Sequence, residues 1–429
     1  MSFSEVEFFF FLPVLLVLYW LLPRRAGAQN AVLLVASYLF YASWHWKLLS
    51  LVIAGTLIDF VAGRVADAAS GYSVRVRRIA LTVSLLCGFG LLALFKYERF
   101  FASSANALLA SIGLAPSVPL LELVLPLGIS FYTLQRASYM LDVYWGRQSA
   151  CRSLPHFALF SCYFPQLAAG PIARGHELLP QIAAPRSLSA RNVGRGARLF
   201  LVGYVLKAFA ANSIGDGWVD PVFGSTEALG ALTHWMALVG FTLQVFGDFA
   251  GYSAMAIGVS RLFGIELPVN FDFPFLSKSL PELWRRWHIS LNRWLFDYLF
   301  TPLSTSHGWF RGRVELALVI TFLVSGLWHG AAWTFIIWGA LHGFGMIAQG
   351  RWDAFYRGLC RKDRSYVKRR QATGYQFGAW AITMGFFLLT MIPFRSAGLA
   401  RRATSASACS VCAARVRSSG APTRCSRRS

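Results

Sequence analysis

Runs of apolar residues, each closed by a short polar or basic stretch, recur along most of this chain. They occupy residues 8–22, 31–44, 48–62, 79–95, 199–211, 234–249, 316–327, 332–347 and 377–392. A helix of roughly 17 to 25 apolar residues crosses the hydrocarbon core, and shorter runs can tilt, pair or re-enter. The pattern therefore predicts an all-α polytopic integral membrane protein with about ten transmembrane helices, joined by re-entrant and amphipathic ones.

Two segments depart from this rhythm. Leu125-Pro126-Leu127-Gly128-Ile129-Ser130 carries a proline and a glycine inside an apolar stretch, which predicts a kink or a helix start. Residues 271–302 are apolar but interrupted by Lys278, Glu282, Arg285, Arg286, His288, Arg293 and Asp297. At 100° per residue, Leu280, Leu283, Trp284, Trp287, Leu291, Trp294 and Leu295 gather on one side. Arg285, His288 and Asn292 form one flank, and Glu282, Arg286 and Arg293 lie behind. This predicts an amphipathic helix that lies along or dips into the membrane face.

Composition agrees with a membrane solvent. Of the 429 residues 56% are apolar and only 14% charged, with mean hydropathy +0.49. A soluble domain of this size carries about a quarter charged residues. The formal charge of +22 is spread over basic loops, namely Arg24 and Arg25, then 64–78, 174–198 and 351–370. By the positive-inside rule these loops are cytoplasmic and the N-terminus external. The charge is explained by anionic lipid headgroups, and no soluble basic face points to nucleic acid. Glu5 and Glu7 before the first apolar run argue against a cleaved signal. The seven cysteines lack pairing logic and read as small hydrophobes.

No linker separates two folded units, so residues 1–394 read as one membrane domain. Residues 395–429 differ in kind. Ser, Ala, Arg and Cys dominate, with eight arginines and no acid. Two readings stand: a basic disordered tail, or a GC-rich coding strand read in the wrong frame. A lone Cys409-Ser-Val-Cys412 without a second pair is weak evidence for zinc.

The residues able to do chemistry are few. His329, in Trp328-His329-Gly330, lies within the apolar region 314–345. An ionisable side chain at membrane depth is costly and is by default a functional candidate. A neutral imidazole can take a proton from a hydroxyl as that oxygen attacks a thioester or ester carbonyl. A structural histidine bonded to a backbone carbonyl is the alternative. His288 follows Arg285 and Arg286, two cations able to hold a phosphate-bearing donor, although an interfacial Trp/Arg anchor explains the same residues. Arg286 with Glu282 fits a helix-surface pair. Asp142 and Asp248 read as satisfied by packing. His342, on one continuous helix, would fall about 220° from His329, and no ligand cluster offers a metal site. Serine-hydrolase elbows, P-loops and dinucleotide-binding glycines are all missing.

Five stretches, in order, resemble the bacterial branch of the membrane-bound O-acyltransferase (MBOAT) family. They are Leu125-Pro-Leu-Gly-Ile-Ser-Phe-Tyr-Thr133, Phe164-Pro-Gln-Leu-Ala-Ala-Gly-Pro171, Phe246-Gly-Asp-Phe-Ala-Gly-Tyr-Ser253, Trp284-Arg-Arg-Trp-His-Ile-Ser-Leu291, and Ser325-Gly-Leu-Trp-His-Gly330 with Trp338-Gly-Ala-Leu-His-Gly343. The resemblance implies a ring of transmembrane helices around a tunnel, in the bacterial inner membrane. It implies His329 as the catalytic residue and His288 as its polar partner, with Arg285, Arg286, Trp328 and Asn292 on the substrate or donor side. No bound cofactor or metal is implied. Acetyl-CoA is the implied donor, with a periplasmic partner that acetylates an exported polysaccharide such as alginate. Peptidoglycan or cellulose acetylation, D-alanyl transfer, and a non-enzymatic transport or scaffold role are the alternatives. The chain departs from the family pattern at Phe296-Asp297-Tyr298, where relatives have Arg-Asp-Tyr, and at 303–306, where they have a Gly-Gly turn.

Overall fold

A computed structural model describes residues 1–225, 227, 229–305 and 311–404, with side chains as far as 396. Among the described residues every regular element is helical. The principal helices are α1 (Val6–Leu21), α2 (Ala26–His45), α3 (Leu49–Ala66), α4 (Val74–Leu92), α5 (Glu98–Ser111), α6 (Ile129–Tyr144), α7 (Leu154–Cys162) and α8 (Gly175–Ala183). They continue as α9 (Ala190–Tyr204), α10 (Ala231–Leu262), α11 (Leu280–Arg286), α12 (Ile289–Leu295), α13 (Val314–His329), α14 (Trp333–Lys362) and α15 (Thr373–Thr404).

Four segments are long and apolar enough to cross a membrane: Ala26–Ala66, Val74–Ser111, Ala190–Gly224 and Thr373–Ser396. Two shorter apolar helices, α1 and α13, add to them. The runs 234–249 and 332–347 sit inside α10 and α14, helices of 32 and 30 residues. At 1.5 Å per residue each is about 45 Å long. Their further turns carry Arg261 in α10, and Gln349, Arg351 and Asp353 in α14.

The N-terminal half packs around aromatic side chains. Tyr19, Tyr139, Phe157, Phe160, Tyr163 and Phe164 are fully buried in one cluster. Within it the ionic pair Arg136–Asp59 joins α6 to α3, 3.2 Å apart, and the Ser84 hydroxyl of α4 donates to the same carboxylate at 2.6 Å. Buried charges persist only when paired and hydrogen-bonded, so this triad fixes the three helices against one another. Asp248 is likewise taken up, by Lys207, and Asp142 accepts from the Tyr298 hydroxyl at 2.7 Å.

The proline-glycine stretch starts a helix, as its residues predict. Gly128 takes φ 68° immediately before α6, a left-handed conformation that costs glycine nothing. A Cβ there would also fall 1.9 Å from the Leu167 carbonyl oxygen.

Residues 271–302 are not one amphipathic helix. The chain folds as α11, a break at Trp287-His288, α12, and then a π-turn over Phe296–Phe300. His288 has φ 45° and ψ 52°, an unusual conformation for a non-glycine residue and one that ends an α-helix. The apolar side is nevertheless buried as the periodicity predicts. Leu280, Leu283, Trp284 and Trp287 enter one cluster, and Leu291, Trp294 and Leu295 another. Periodicity finds which residues are buried; it does not see a break that leaves them buried on both sides. Arg285, His288 and Asn292 consequently share no flank.

The basic tail expected from residue 395 falls partly on α15, which continues to Thr404. Arg395 is built into the fold, its guanidinium 2.7 Å from Asp220. Residues 405–429 lie outside the described residues, as does Ser306 of the 303–306 stretch.

Candidate active site

The site forms where the α11–α12 break meets the end of α13. His329 is the last residue of α13, and Gly330 continues in extended conformation. The two helices α13 and α14 approach through glycines. A Cβ on Gly326 would lie 2.2 Å from the Phe335 carbonyl oxygen, and one on Gly339 2.3 Å from that of Phe322. No larger residue fits either place without prising the helices apart, and Gly330 is pinned by the Phe335 ring.

The His288 and His329 ring centroids are 6.4 Å apart. Trp328 lies against both, at 5.5 Å from His288 and 5.0 Å from His329. Trp338 and Phe394 complete the wall around His329, at 5.0 and 5.6 Å. His329 keeps part of its surface open. Among the described residues its ring makes no hydrogen bond, so it is not the carbonyl-tethered structural histidine that the sequence leaves open. His288 is 1% exposed.

His288 is held by Asn270, from the turn before α11. Its Nδ1 lies 3.1 Å from Asn270 Oδ1. That oxygen also accepts the backbone N–H and hydroxyl of Ser290, at 3.2 and 3.0 Å, while Asn270 Nδ2 donates to Ser253 Oγ at 3.1 Å. A backbone N–H only donates, so Oδ1 is the acceptor and His288 Nδ1 must carry the proton. Nε2 is then left with a lone pair, and this buried atom has no partner among the described residues. The Trp328 indole nitrogen is also buried without an acceptor. The site thus brings together one locked imidazole with a free acceptor, one half-buried histidine, and an indole N–H without an acceptor on a ring that touches both. Asn270 escapes sequence reasoning, since nothing in Pro268-Val269-Asn270-Phe271 signals contact with a residue eighteen positions on.

The other sequence candidates lie at the edge. Asn292 directs Nδ2 to the carbonyls of Trp287 and His288, at 2.6 and 3.2 Å, and so shapes the break. Arg285 is exposed. Arg286 pairs with Glu282 at 3.0 Å, as its i,i+4 spacing predicts. His342 is on α14, not on a continuation of α13, so the 220° separation does not apply. It is fully buried between Trp284 and Trp338, with ring centroids at 4.8 and 4.6 Å. Among the described residues no three His, Cys, Asp or Glu side chains gather as a metal would need.

Past α12, at the Phe296-Asp297-Tyr298 stretch, Arg174 bonds Asp297 at 3.0 Å and stacks on Tyr298 at 4.4 Å. Burial pushes the Tyr298 hydroxyl above its ordinary value, which keeps it a donor to Asp142.

Comparison with known proteins points to one family. The membrane-bound O-acyltransferase family model covers residues 147–392, which include Asn270, His288 and His329. The chain is 40% identical over 343 residues to a probable alginate O-acetylase AlgI of Azotobacter vinelandii, covering 79% of this chain and 66% of that one. It is 36% identical over 398 residues to the probable alginate O-acetylase AlgI of Pseudomonas syringae pv. tomato, 92% of this chain and 72% of the relative. To the peptidoglycan O-acetyltransferase of Helicobacter pylori it is 34% identical over 428 residues, 91% and 76% of the two chains. It therefore spans about two thirds to three quarters of these relatives' lengths. The helices, the ordered stretches and the matches agree: the chain belongs to the membrane-bound O-acyltransferase family.

Proposed function

We propose that this chain is an inner-membrane, multi-pass O-acyltransferase that passes acetyl groups from cytoplasmic acetyl-CoA towards an exported polysaccharide of alginate type, through a periplasmic partner. The observation that carries the reading is the juxtaposition of two histidines, one locked with a free acceptor nitrogen and one half-buried at a helix end. The relatives' names favour acetyl transfer, and the Helicobacter relative favours peptidoglycan as the second acceptor class.

In this reaction neutral His329 takes the proton of an acceptor hydroxyl as its oxygen attacks the thioester carbonyl. A C–O bond forms, the C–S bond breaks, and the departing CoA sulfur recovers the proton from the imidazolium. In this reading the Trp328 indole N–H, buried without an acceptor, donates to the carbonyl oxygen as it gains negative charge. His288 Nε2 accepts a hydrogen bond from the acceptor or donor and orients it beside His329. Exposed Arg285 is the cation assigned to donor phosphate in this reading. The way in for donor and out for acceptor, past His329, is part of the same proposal.

Replacing His329 by Ala in a producing host tests it. Loss of O-acetyl groups from the polysaccharide, at unchanged protein level and polymer export, is the expected result. Unchanged acetylation refutes the assigned role, and loss of export instead favours a transport or scaffold subunit.

A further inference from the structure

Lys96 is an ionisable residue near the end of the apolar run 79–95, and the functions described so far leave it unused. It lies in a π-turn, Ala93–Tyr97, between α4 and α5. Single π-turns of this kind recur at functional sites. Its ammonium donates to the Trp328 carbonyl oxygen and, at 3.0 Å, to the Ser130 hydroxyl in the first turn of α6. It also lies over the Trp328 ring, 5.4 Å from the centroid. The neighbouring Tyr97 hydroxyl donates to the Leu327 carbonyl oxygen at 3.0 Å.

These two side chains engage the last turn of α13, the turn that ends in His329. The final carbonyls of a helix have no partner inside it, and cations are favoured there by the helix dipole. Here the donors come from a distant segment. His329 hangs on the terminal residue of α13, with extended chain after it. Without an outside donor such a residue frays with the helix end. Misplacement of a reacting group by about 1 Å can cost about a hundredfold in rate.

We propose that Lys96 is a positioning residue for His329: by tying Trp328 to the first turn of α6, it fixes the imidazole where the donor and acceptor meet. The proposal rests on the reading of His329 as the reacting base, and one of its tests is independent of that reading.

The test uses the full chain in membrane vesicles, with Lys96→Met, Lys96→Arg and His329→Ala compared at equal amounts of folded protein. Two quantities are measured: acetyl transfer from acetyl-CoA, and the rate at which diethylpyrocarbonate labels His329, followed by peptide mass spectrometry. Lys96→Met is expected to lower kcat by about tenfold to a hundredfold with KM within about twofold, and to change the labelling rate at least about threefold. Lys96→Arg is expected to recover most of both. Should Lys96→Met fail to accumulate, Lys96→Gln, which keeps a donor but no charge, takes its place. A wild-type labelling rate in the folded neutral variant overturns the proposal whatever transfer shows. Full transfer by His329→Ala instead sinks the reading of His329 as base and leaves the labelling rate to judge Lys96.

Discussion

His288 donates from Nδ1 to Asn270 Oδ1, 3.1 Å away, and this bond fixes which nitrogen of the ring is free. The Ser290 backbone N–H binds the same oxygen, so the amide cannot turn round to reverse the assignment. The consequence is a buried lone pair on Nε2 that no group among the described residues meets.

Asn270→Ala removes the acceptor of three hydrogen bonds at once. Leaving buried donors unmet costs about 2–3 kcal/mol in total for partly compensated groups. Loss of a group that orients a histidine lowers activity on the order of tenfold to a hundredfold by analogy with the outer shells of metal sites. Thermal unfolding in detergent and acetyl transfer per folded molecule check the two effects separately. Wild-type transfer in Asn270→Ala would show that the tautomer of His288 is immaterial.

His288 occupies a left-handed backbone conformation, which costs a non-glycine residue on the order of 1–3 kcal/mol. Asparagine tolerates that region better than any β-branched residue. His288→Asn should therefore accumulate near the wild-type level while losing activity by about tenfold or more. His288→Val should fail to accumulate. Comparable levels for the two variants would contradict the backbone argument.

Gly326→Ala or Gly339→Ala places a methyl against a backbone oxygen across the α13–α14 contact. Backbone cannot yield as a side chain can, so a loss of roughly 2 kcal/mol or more follows, with displacement of His329. Gly350→Ala, on the same α14 but facing open space, is the control. It should be neutral or gain about 1 kcal/mol from helix propensity. Equal unfolding temperatures for all three would remove the close approach as a cause.

Arg136→Met leaves the buried Asp59 carboxylate without its cation, and Asp59→Asn leaves the guanidinium without its anion. Each single change should cost roughly 3–5 kcal/mol, whereas the double change should recover a good part of that loss. Unfolding curves of the four proteins give the coupling. Additive losses would show that the pair does not hold α3 to α6.

What the sequence made legible follows from what side chains reveal locally. Apolar period 3.6 marks the buried apolar residues from Leu280 to Leu295, because burial depends on the side chains themselves, but it passes over the buried His288 and Ser290. The break at His288 was invisible, because a left-handed histidine carries no glycine or proline to announce it. Gly128 did announce a helix start, and φ 68° is the result. Asn270 was unreadable because its role arises from a contact made in three dimensions with residues 253, 288 and 290. Lys96 was hidden for another reason: a lysine closing an apolar run reads as a cation at the membrane surface. His329 was the exception. An imidazole between tryptophan and glycine in an apolar span is conspicuous in the sequence itself.

The central claim is that the half-buried histidine at the end of α13 takes the acceptor's proton. The most direct measurement is acetyl-CoA turnover by wild type and His329→Ala in the same vesicles, with acceptor present and folded protein equalised. A fall of about a thousandfold or more, with His288→Asn intermediate, is the outcome this account predicts. Turnover within about threefold of wild type would contradict it.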